Sequence, residues 1–465
     1  MAPGALGGEF INGTDISALP VLESMGATYS SGGVTGDAIE ILEENGVNWH
    51  RLRIFVNPTG SDPVAVQDLA YTIALAQRAK ANGSRLLLDF HYSDTWADPG
   101  KQFKPGTWNG LNFNALKAQV KSYSSSVIQA MKNAGVMPEM VQIGNEISNG
   151  TLWSDGQLWR AGVPEDTEFQ NLADLLSEGI KGVKEASDPG NEPLIMIHHD
   201  KGGDWGATEY YFDRLLPKLN VNGTPADVIG YSYYPLHHYN ENSCNAQGTG
   251  CGSMLDVQAN LINTVNKYEL PVVMVEAGFA SRDEESDPYE FEVTPQGQKE
   301  YLEAVVDALK AVPNDMGWGL FWWYAEASPV DNDGTVWKYG SYGLFDLGVN
   351  WPDYSPDSEA LPAQQVFADI AAEFSTLPGD MDDDGDVDGD DFLYWQRQAG
   401  SVGLLSADVN GDFRVDLEDL AIWEAAYGSS LPLSAVSTTV PEPSGLLLYG
   451  IALFCGLLRG RVTLR

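Results

Sequence analysis

Short apolar runs recur along the chain up to about residue 374, separated by amphipathic stretches. The runs at 10–15, 48–56, 85–91, 140–145, 194–198, 228–233, 272–276 and 317–323 read as short buried strands. Between them, 66–82 carries apolar residues at helical spacing and stops at Asn82-Gly83. Likewise 114–134 stops at Gly135, and 170–186 stops before Asp188-Pro189. Eight strands with intervening helices over 9–374 predict an α/β fold, a (β/α)8 barrel with long loops. The rival, a doubly wound sheet, would carry a Gly-rich phosphate turn after its first strand, and none is present. At 465 residues the chain exceeds one ordinary core, so a further domain is expected.

After Leu377-Pro378 the composition shifts. Residues 379–429 hold 14 acids against Arg397 and Arg414, and an acidic pattern at 380–400 repeats at 408–428, 28 residues later. An EF-hand-type loop places oxygens at positions 1, 3, 5, 7, 9 and 12, with glycine at 6. Asp380, Asp382, Asp384, Asp386 (through its carbonyl), Asp388 and Asp391 fit that spacing, with Gly385 at position 6. Asp408, Asn410, Asp412, Arg414 (carbonyl), Asp416 and Asp419 fit it again, with Phe413 in place of the glycine. The first loop is therefore expected to bind Ca²⁺ more tightly. Aspartate at position 12, with helices predicted at 392–398 and 420–427, resembles dockerin modules. That resemblance implies Ca²⁺ as a structural cofactor and a possible cohesin-like partner. A linker follows at 430–440, then Val440-Pro441-Glu442-Pro443, an apolar run at 446–458 and a basic end. This tail, 441–465, resembles the PEP-CTERM sorting signal and implies sorting machinery as a partner. The apolar run is short for a membrane span, which needs ~20 residues.

The net charge of −40, from 66 acids against 26 bases, argues against nucleic acid as a partner. It suits a neutral substrate and Ca²⁺ sites. Cys244 and Cys251 flank a short Gly-rich loop and could close a disulfide in an oxidising compartment, or stay as two thiols. The opening ten residues have neither a basic nor an apolar region and do not read as a signal peptide. Since the tail implies export, a secreted or cell-surface bacterial protein whose leader precedes this start is expected.

The candidate chemistry sits at two strand ends. Val141-Gln142-Ile143-Gly144-Asn145-Glu146 and Pro271-Val272-Val273-Met274-Val275-Glu276 each finish on a glutamate. The mouth of a barrel, at the carboxyl ends of its strands, is where barrel enzymes keep their chemistry. Retaining glycosidases hold two carboxyls ~5–5.5 Å apart, one as acid/base and one as nucleophile. Strands four and seven face each other across a barrel mouth. The amide of Asn145 is placed to bond a sugar 2-OH.

Asn145-Glu146 on strand four and Glu276 on strand seven resemble the retaining clan of barrel glycosidases. Phe10-Ile11-Asn12-Gly13-Thr14-Asp15-Ile16-Ser17, Gly46-Val47-Asn48-Trp49-His50-Arg51-Leu52-Arg53, the stretch from Leu88 through His91-Tyr92-Ser93-Asp94-Thr95-Trp96-Ala97-Asp98-Pro99-Gly100-Lys101-Gln102, and Ile229-Gly230-Tyr231-Ser232-Tyr233-Tyr234-Pro235 narrow it. They resemble family 53, the endo-β-1,4-galactanases acting on (arabino)galactan. The likeness spans nearly all of 9–374. It implies Glu146 as acid/base, Glu276 as nucleophile and Asn145 on the 2-OH. Arg53, His91 and Tyr233 or Tyr234 would shape the glycone subsite, Trp96 would be a stacking platform, and Trp323 the floor. His198 and Asp200 are weaker candidates. The family usually ends strand eight in Tyr-Trp-Glu-Pro, whereas this chain reads Trp322-Trp323-Tyr324-Ala325. Bacterial members often tie loops seven and eight with Ca²⁺; residues 281–287 are acidic without matching cleanly, so that site stays open. Alternatives are another retaining β-1,4-glycanase, such as a mannanase or xylanase, or a non-catalytic glycan-binding barrel. The intact glutamates speak against the last.

Overall fold

The computed structural model describes residues 10–282, 289–330, 335–346, 357–373, 377–382, 386–403, 405–410 and 413–430. The opening nine residues, Asp384, Gly385, Asp412, positions 283–287 of the acidic stretch and everything from 431 on lie outside them.

Eight parallel strands close into a barrel. They are β1 (Ile11–Asp15), β2 (Trp49–Ile54), β3 (Arg85–Phe90), β4 (Met140–Ile143), β5 (Leu194–His199), β6 (Val228–Tyr233), β7 (Val272–Ala277) and β8 (Gly317–Trp322). Each pairs with its neighbours in sequence, and β1 closes the ring on β8. The helices that follow the strands are α1 (Ala38–Glu44), α2 (Leu69–Ala81), α3 (Phe113–Asn133), α4 (Glu165–Ala186), α5 (Trp205–Val221), α6 (Met254–Tyr268), α7 (Pro295–Lys310) and α8 (Gln364–Glu373). Their starts follow capping chemistry: Asp68, Asn112, Asp204 and Thr294 accept backbone N–H groups of the first turn, and Ser253 makes a capping box with Asp256.

All eight predicted strands are present, with ends shifted by a residue or two. The difference that bears on the site is at β4, which stops at Ile143, so Asn145 and Glu146 lie just beyond it. The sequence reading missed a small sheet beside the barrel, formed by Phe345–Asp346, Asp357–Ala360, Thr28–Ser31 and Val34–Gly36. Its strands are too short and polar to signal themselves. Cys244 and Cys251 are joined as a disulfide.

The barrel strands are buried on both faces, but successive residues face opposite ways. On β2, Leu52 and Ile54 join the layer between sheet and helices, while Trp49 joins the barrel interior. The interior has two storeys. Its floor is apolar: Ile11, Trp49, Leu87, Met140, Met196, Val228, Val273, Trp318 and Phe321 fill it. Its upper storey is polar, with Asp15, Arg51, Arg53, Asp89, Gln142, His198, Ser232 and Glu276 all buried.

Glu276 reaches that storey through a local irregularity. Val273 and Val275 belong to the interior cluster, whereas Val272 and Met274 face the helices. Strict alternation would send Glu276 outward. Between the pairs Gly230↔Val273 and Ser232↔Glu276, however, β6 advances two residues and β7 three. This β-bulge reverses the parity and turns Glu276 inward.

Beyond the barrel, α9 (Gly389–Gln398) and α10 (Leu417–Ala426) form a helix pair, starting three residues before the predicted helices. Their capping boxes are alike, Asp388 with Asp391 and Asp416 with Asp419. Among the described residues no helix is long and apolar enough to cross a membrane.

Candidate active site

A cleft of about 650 Å³ opens at the carboxyl ends of the strands. Arg51, Arg53, His91, Trp96, Asn145, Glu146, Tyr234, Glu276 and Trp323 all line it. Both candidate glutamates thus share one cavity with most of the predicted substrate contacts. Tyr233 is the exception. It falls on the outward parity of β6, is fully buried, stacks on Tyr301 and donates its hydroxyl to the Gly252 carbonyl. Tyr234, the next residue, is the one that faces the cleft.

Glu276 is held by two donors. Arg51 Nη2 lies 2.8 Å from Oε1, and the Tyr234 hydroxyl donates to Oε2 at 2.8 Å. Arg51 also contacts Asp15 at 3.1 Å, Asp89 at 2.9 Å and Asn145 Oδ1 at 2.8 Å. Burial alone would raise the Asp89 pKa; Arg51 and His91 outweigh it and hold that carboxyl below its usual range. Gln142 donates to Asp89 Oδ1 at 2.7 Å and His91 Nε2 lies 3.0 Å from its Oδ2, so this carboxylate is satisfied on both oxygens.

Glu146 is placed differently. Gly144 at φ +93° turns the chain out of β4, and Glu146 itself sits at φ +46°, ψ +56°. For a non-glycine residue that costs ~1–3 kcal/mol, a cost that clusters at functional sites. Its N–H donates to His198 Nδ1 at 3.2 Å. With Nδ1 accepting, the neutral ring carries its proton on Nε2, 2.8 Å from Ser232 Oγ, and Ser232 donates onward to Glu146 Oε1 at 2.7 Å. Burial, then Arg51, keeps the His198 pKa well below its usual value, so the ring stays uncharged.

The two carboxyls therefore differ in acidity. Burial raises the Glu146 pKa well above the ordinary value, and the charges of Glu276 and Asp200 push it further. Burial also raises Glu276, but the Arg51 charge and the Tyr234 hydrogen bond pull against it. Among the described residues no cation touches Glu146 as Arg51 touches Glu276, so a single shared proton resides on Glu146.

The walls are aromatic. Arg53 lies 4.2 Å over the Trp96 ring, and Trp96 Nε1 donates to Asp62 at 2.7 Å. Trp323 packs edge-on against Trp96, Tyr234 and Trp337. Asn145 gives one amide hydrogen to the Ala97 carbonyl at 2.8 Å. Asp200, paired with Lys201, also lines the cleft.

A family model described as glycosyl hydrolase family 53 matches residues 11–367. The chain belongs to this family. An arabinogalactan endo-beta-1,4-galactanase of Thermothelomyces thermophilus is 34% identical over 350 residues, covering 72% of this chain and 97% of that protein. The Ignisphaera aggregans GH53 catalytic domain superposes with a TM-score of 0.65 at 30% identity, over 78% of this chain and 96% of that one. A structure from a study of two fungal beta-1,4-galactanases gives 0.63 at 28%, over 77% and 98%.

Family 53 membership covers the barrel and not the acidic repeat. There, Asp380, Asp382 and Asp391 bring carboxylate oxygens within 4.8 Å of one another. Asp388 and Asp416 cap their helices. Asp386 bridges to Ser430, and Asp408 accepts the Phe413 N–H at 2.8 Å. Asp419 accepts the Asn410 N–H at 3.2 Å, and the Arg414 side chain reaches the Glu192 carbonyl at 3.2 Å.

The sequence reading left Arg51, Asp15, Asp89, Gln142 and Ser232 without roles. Alternation would have found them: each shares parity with an apolar floor residue on its own strand.

Ser232 stabilises the ionised form of Glu146, and Tyr234 that of Glu276. Ser232→Ala should therefore raise the upper carboxyl titration of the pair, and Tyr234→Phe the lower one. Isotope-edited infrared or carboxyl ¹³C titration reads both. An upper titration unmoved by Ser232→Ala would remove the relay.

Proposed function

We propose that this chain is an endo-β-1,4-galactanase that cleaves internal β-1,4-galactosidic bonds of (arabino)galactan by a retaining double displacement. The observation that carries the reading is the unequal pair in one cleft. Glu276, ion-paired to Arg51, supplies the carboxylate nucleophile. Glu146, kept protonated by burial, donates its proton to the departing glycosidic oxygen as Glu276 attacks the anomeric carbon. Glu146, now a carboxylate, then takes a proton from water as that water displaces Glu276 and restores both groups. Asn145 keeps a second amide hydrogen for the sugar 2-OH, with its orientation held by Arg51, Gln142 and the Ala97 carbonyl. Trp96 offers a stacking face, Trp323 the floor, and Arg53, His91 and Tyr234 the polar rim.

Glu146→Ala should lower kcat by ~10²–10⁴-fold, and Glu276→Ala should abolish turnover of β-1,4-galactan, both with the fold intact. Azide should rescue Glu276→Ala as the inverted glycosyl azide. Trp96→Ala should reduce kcat/KM by roughly 5–30-fold, a loss of ~1–2 kcal/mol. Release of the inverted anomer by the natural chain would end the retaining assignment. Turnover of mannan or xylan with none of galactan would end the substrate assignment.

We infer that residues 379–429 form a dockerin-like Ca²⁺-binding module. Two oxygens on one Ca²⁺, each at ~2.3–2.6 Å, are at most ~5 Å apart. The Asp380, Asp382 and Asp391 oxygens, within 4.8 Å of one another, fit one ion. Bound metal would supply charge balance and order to a segment with 14 acids and little core of its own. Asp380, Asp382 and Asp391 would hold the ion of the first loop, and Asp408, Asn410 and Asp419 that of the second. A cohesin-like partner is a further reading of the same resemblance. Calorimetric titration of the full chain should show Ca²⁺ binding that NaCl at equal ionic strength does not reproduce, and Asp380→Asn with Asp382→Asn should remove one site. A flat isotherm would reduce the module to an acidic linker.

The tail at 441–465 and the Cys244–Cys251 disulfide support an exported, surface-sorted or secreted protein. Fractionation of bacterial cells carrying the chain with and without 441–465 tests this. Identical distribution of the two forms would argue against a sorting role for the tail.

A further inference from the structure

The residue that breaks the acidic repeat is also the residue that enters the barrel. Phe413 stands where the second loop should carry glycine, and it adopts φ +65°, the left-handed region that disfavours a side chain. Its ring is nearly fully buried. It stacks on Trp318 with centroids 5.5 Å apart and leans on Trp49 at the same distance. Both tryptophans belong to the apolar floor of the barrel interior, and Phe413 joins that cluster. Trp49 opens β2 and Trp318 is the second residue of β8, so the contact lies at the closed end, opposite the catalytic cleft.

Two polar clasps flank the ring. Arg85, the first residue of β3, donates to the Asn410 carbonyl at 3.1 Å. Arg414 donates to the carbonyl of Glu192, two residues before β5, at 3.2 Å. One of these arginines comes from each side of the interface. Close by, Gly403 borders Trp318; an added Cβ would lie 3.5 Å from the indole, in ordinary van der Waals contact. The backbone that presents the ring is held by the loop itself: Asp408 accepts the Phe413 N–H, and Gly403 donates to the Phe413 carbonyl at 2.8 Å.

We propose that the C-terminal module is a plug for the closed end of its own barrel, with Phe413 as the coupling residue. A phenylalanine held in a glycine conformation is retained because its ring completes the barrel floor. Ordering the second loop presents the ring, and seating the ring orders the loop. The two events are therefore thermodynamically linked, and a ligand that orders the loop must stabilise the barrel. The Ca²⁺ arm of this inference rests on the calcium reading above; the plug itself rests on the contacts of Phe413.

The test uses the full chain and follows the barrel by near-ultraviolet circular dichroism during heating. Phe413→Ala should lower the barrel Tm by at least about 4 °C, with galactan turnover at low temperature unchanged. Phe413→Leu should recover part of that loss. Ca²⁺ should raise the barrel Tm of the natural chain relative to an EDTA-treated sample, by about 2–4 °C or more. In Phe413→Gly the calorimetric Ca²⁺ affinity should be kept or improved while the Ca²⁺-dependent rise in Tm disappears. A barrel Tm unchanged in Phe413→Ala overturns the plug. Ca²⁺ that binds the natural chain without moving the barrel transition overturns the coupling. A flat calorimetric isotherm overturns the calcium reading alone, and Phe413→Ala then decides the plug.

Discussion

The buried guanidinium of Arg51 is the constraint on which the site depends. It sits in the upper storey of the barrel with Asp15, Asp89, Asn145 and Glu276 all within 3.1 Å. Burying one charge would be prohibitive; among three carboxylates the charge is paired, with Nη1 against Asp15 and Nη2 against Asp89, Asn145 and Glu276. The guanidinium fork fixes where β1, β3, β7 and the turn after β4 place their side chains relative to one another. It also sets the electrostatics of the cleft, because Glu276 has a cation at 2.8 Å whereas Glu146 is met by the Ser232 hydroxyl.

That asymmetry lets two identical side chains do different work. Both lose hydration, and desolvation raises both. The difference is supplied by neighbours on other strands: Arg51 from β2 and Tyr234 beyond β6 for Glu276, Ser232 and His198 from β6 and β5 for Glu146. A second carboxylate charge on Glu146 would meet Glu276 and Asp200, with no compensating cation in contact among the described residues. The proton stays where it is useful for donation to a leaving group.

The barrel below this layer is an apolar floor, and a segment far along the chain reaches it. Phe413 lies in contact with Trp49 and Trp318, so the closed end is finished by the acidic repeat rather than by the barrel strands alone. Inside the barrel, polar side chains fill the end that carries the cleft and apolar ones the other.

The sequence by itself determined the eight strands, the barrel class, and the two glutamates with several of the side chains that share their cleft. Fully buried parallel strands are continuous apolar runs, and a polar residue closing such a run stands out. It also carried the repeat in the acidic segment, because ligand spacing is local. Alternation along β6 would have sent Tyr233 outward and Ser232 inward, although Tyr233 was expected in the glycone subsite. What only the tertiary structure decided depends on register between strands. The bulge opposite Gly230 and Ser232 reverses the parity of Glu276, and a one-residue slip between two strands leaves no mark in the order of residues on one of them. The partners of Arg51 come from strands far apart in sequence. The seating of Phe413 joins position 413 to positions 49 and 318. Local pattern reports which face a residue takes; only closure of the barrel reports what it meets there.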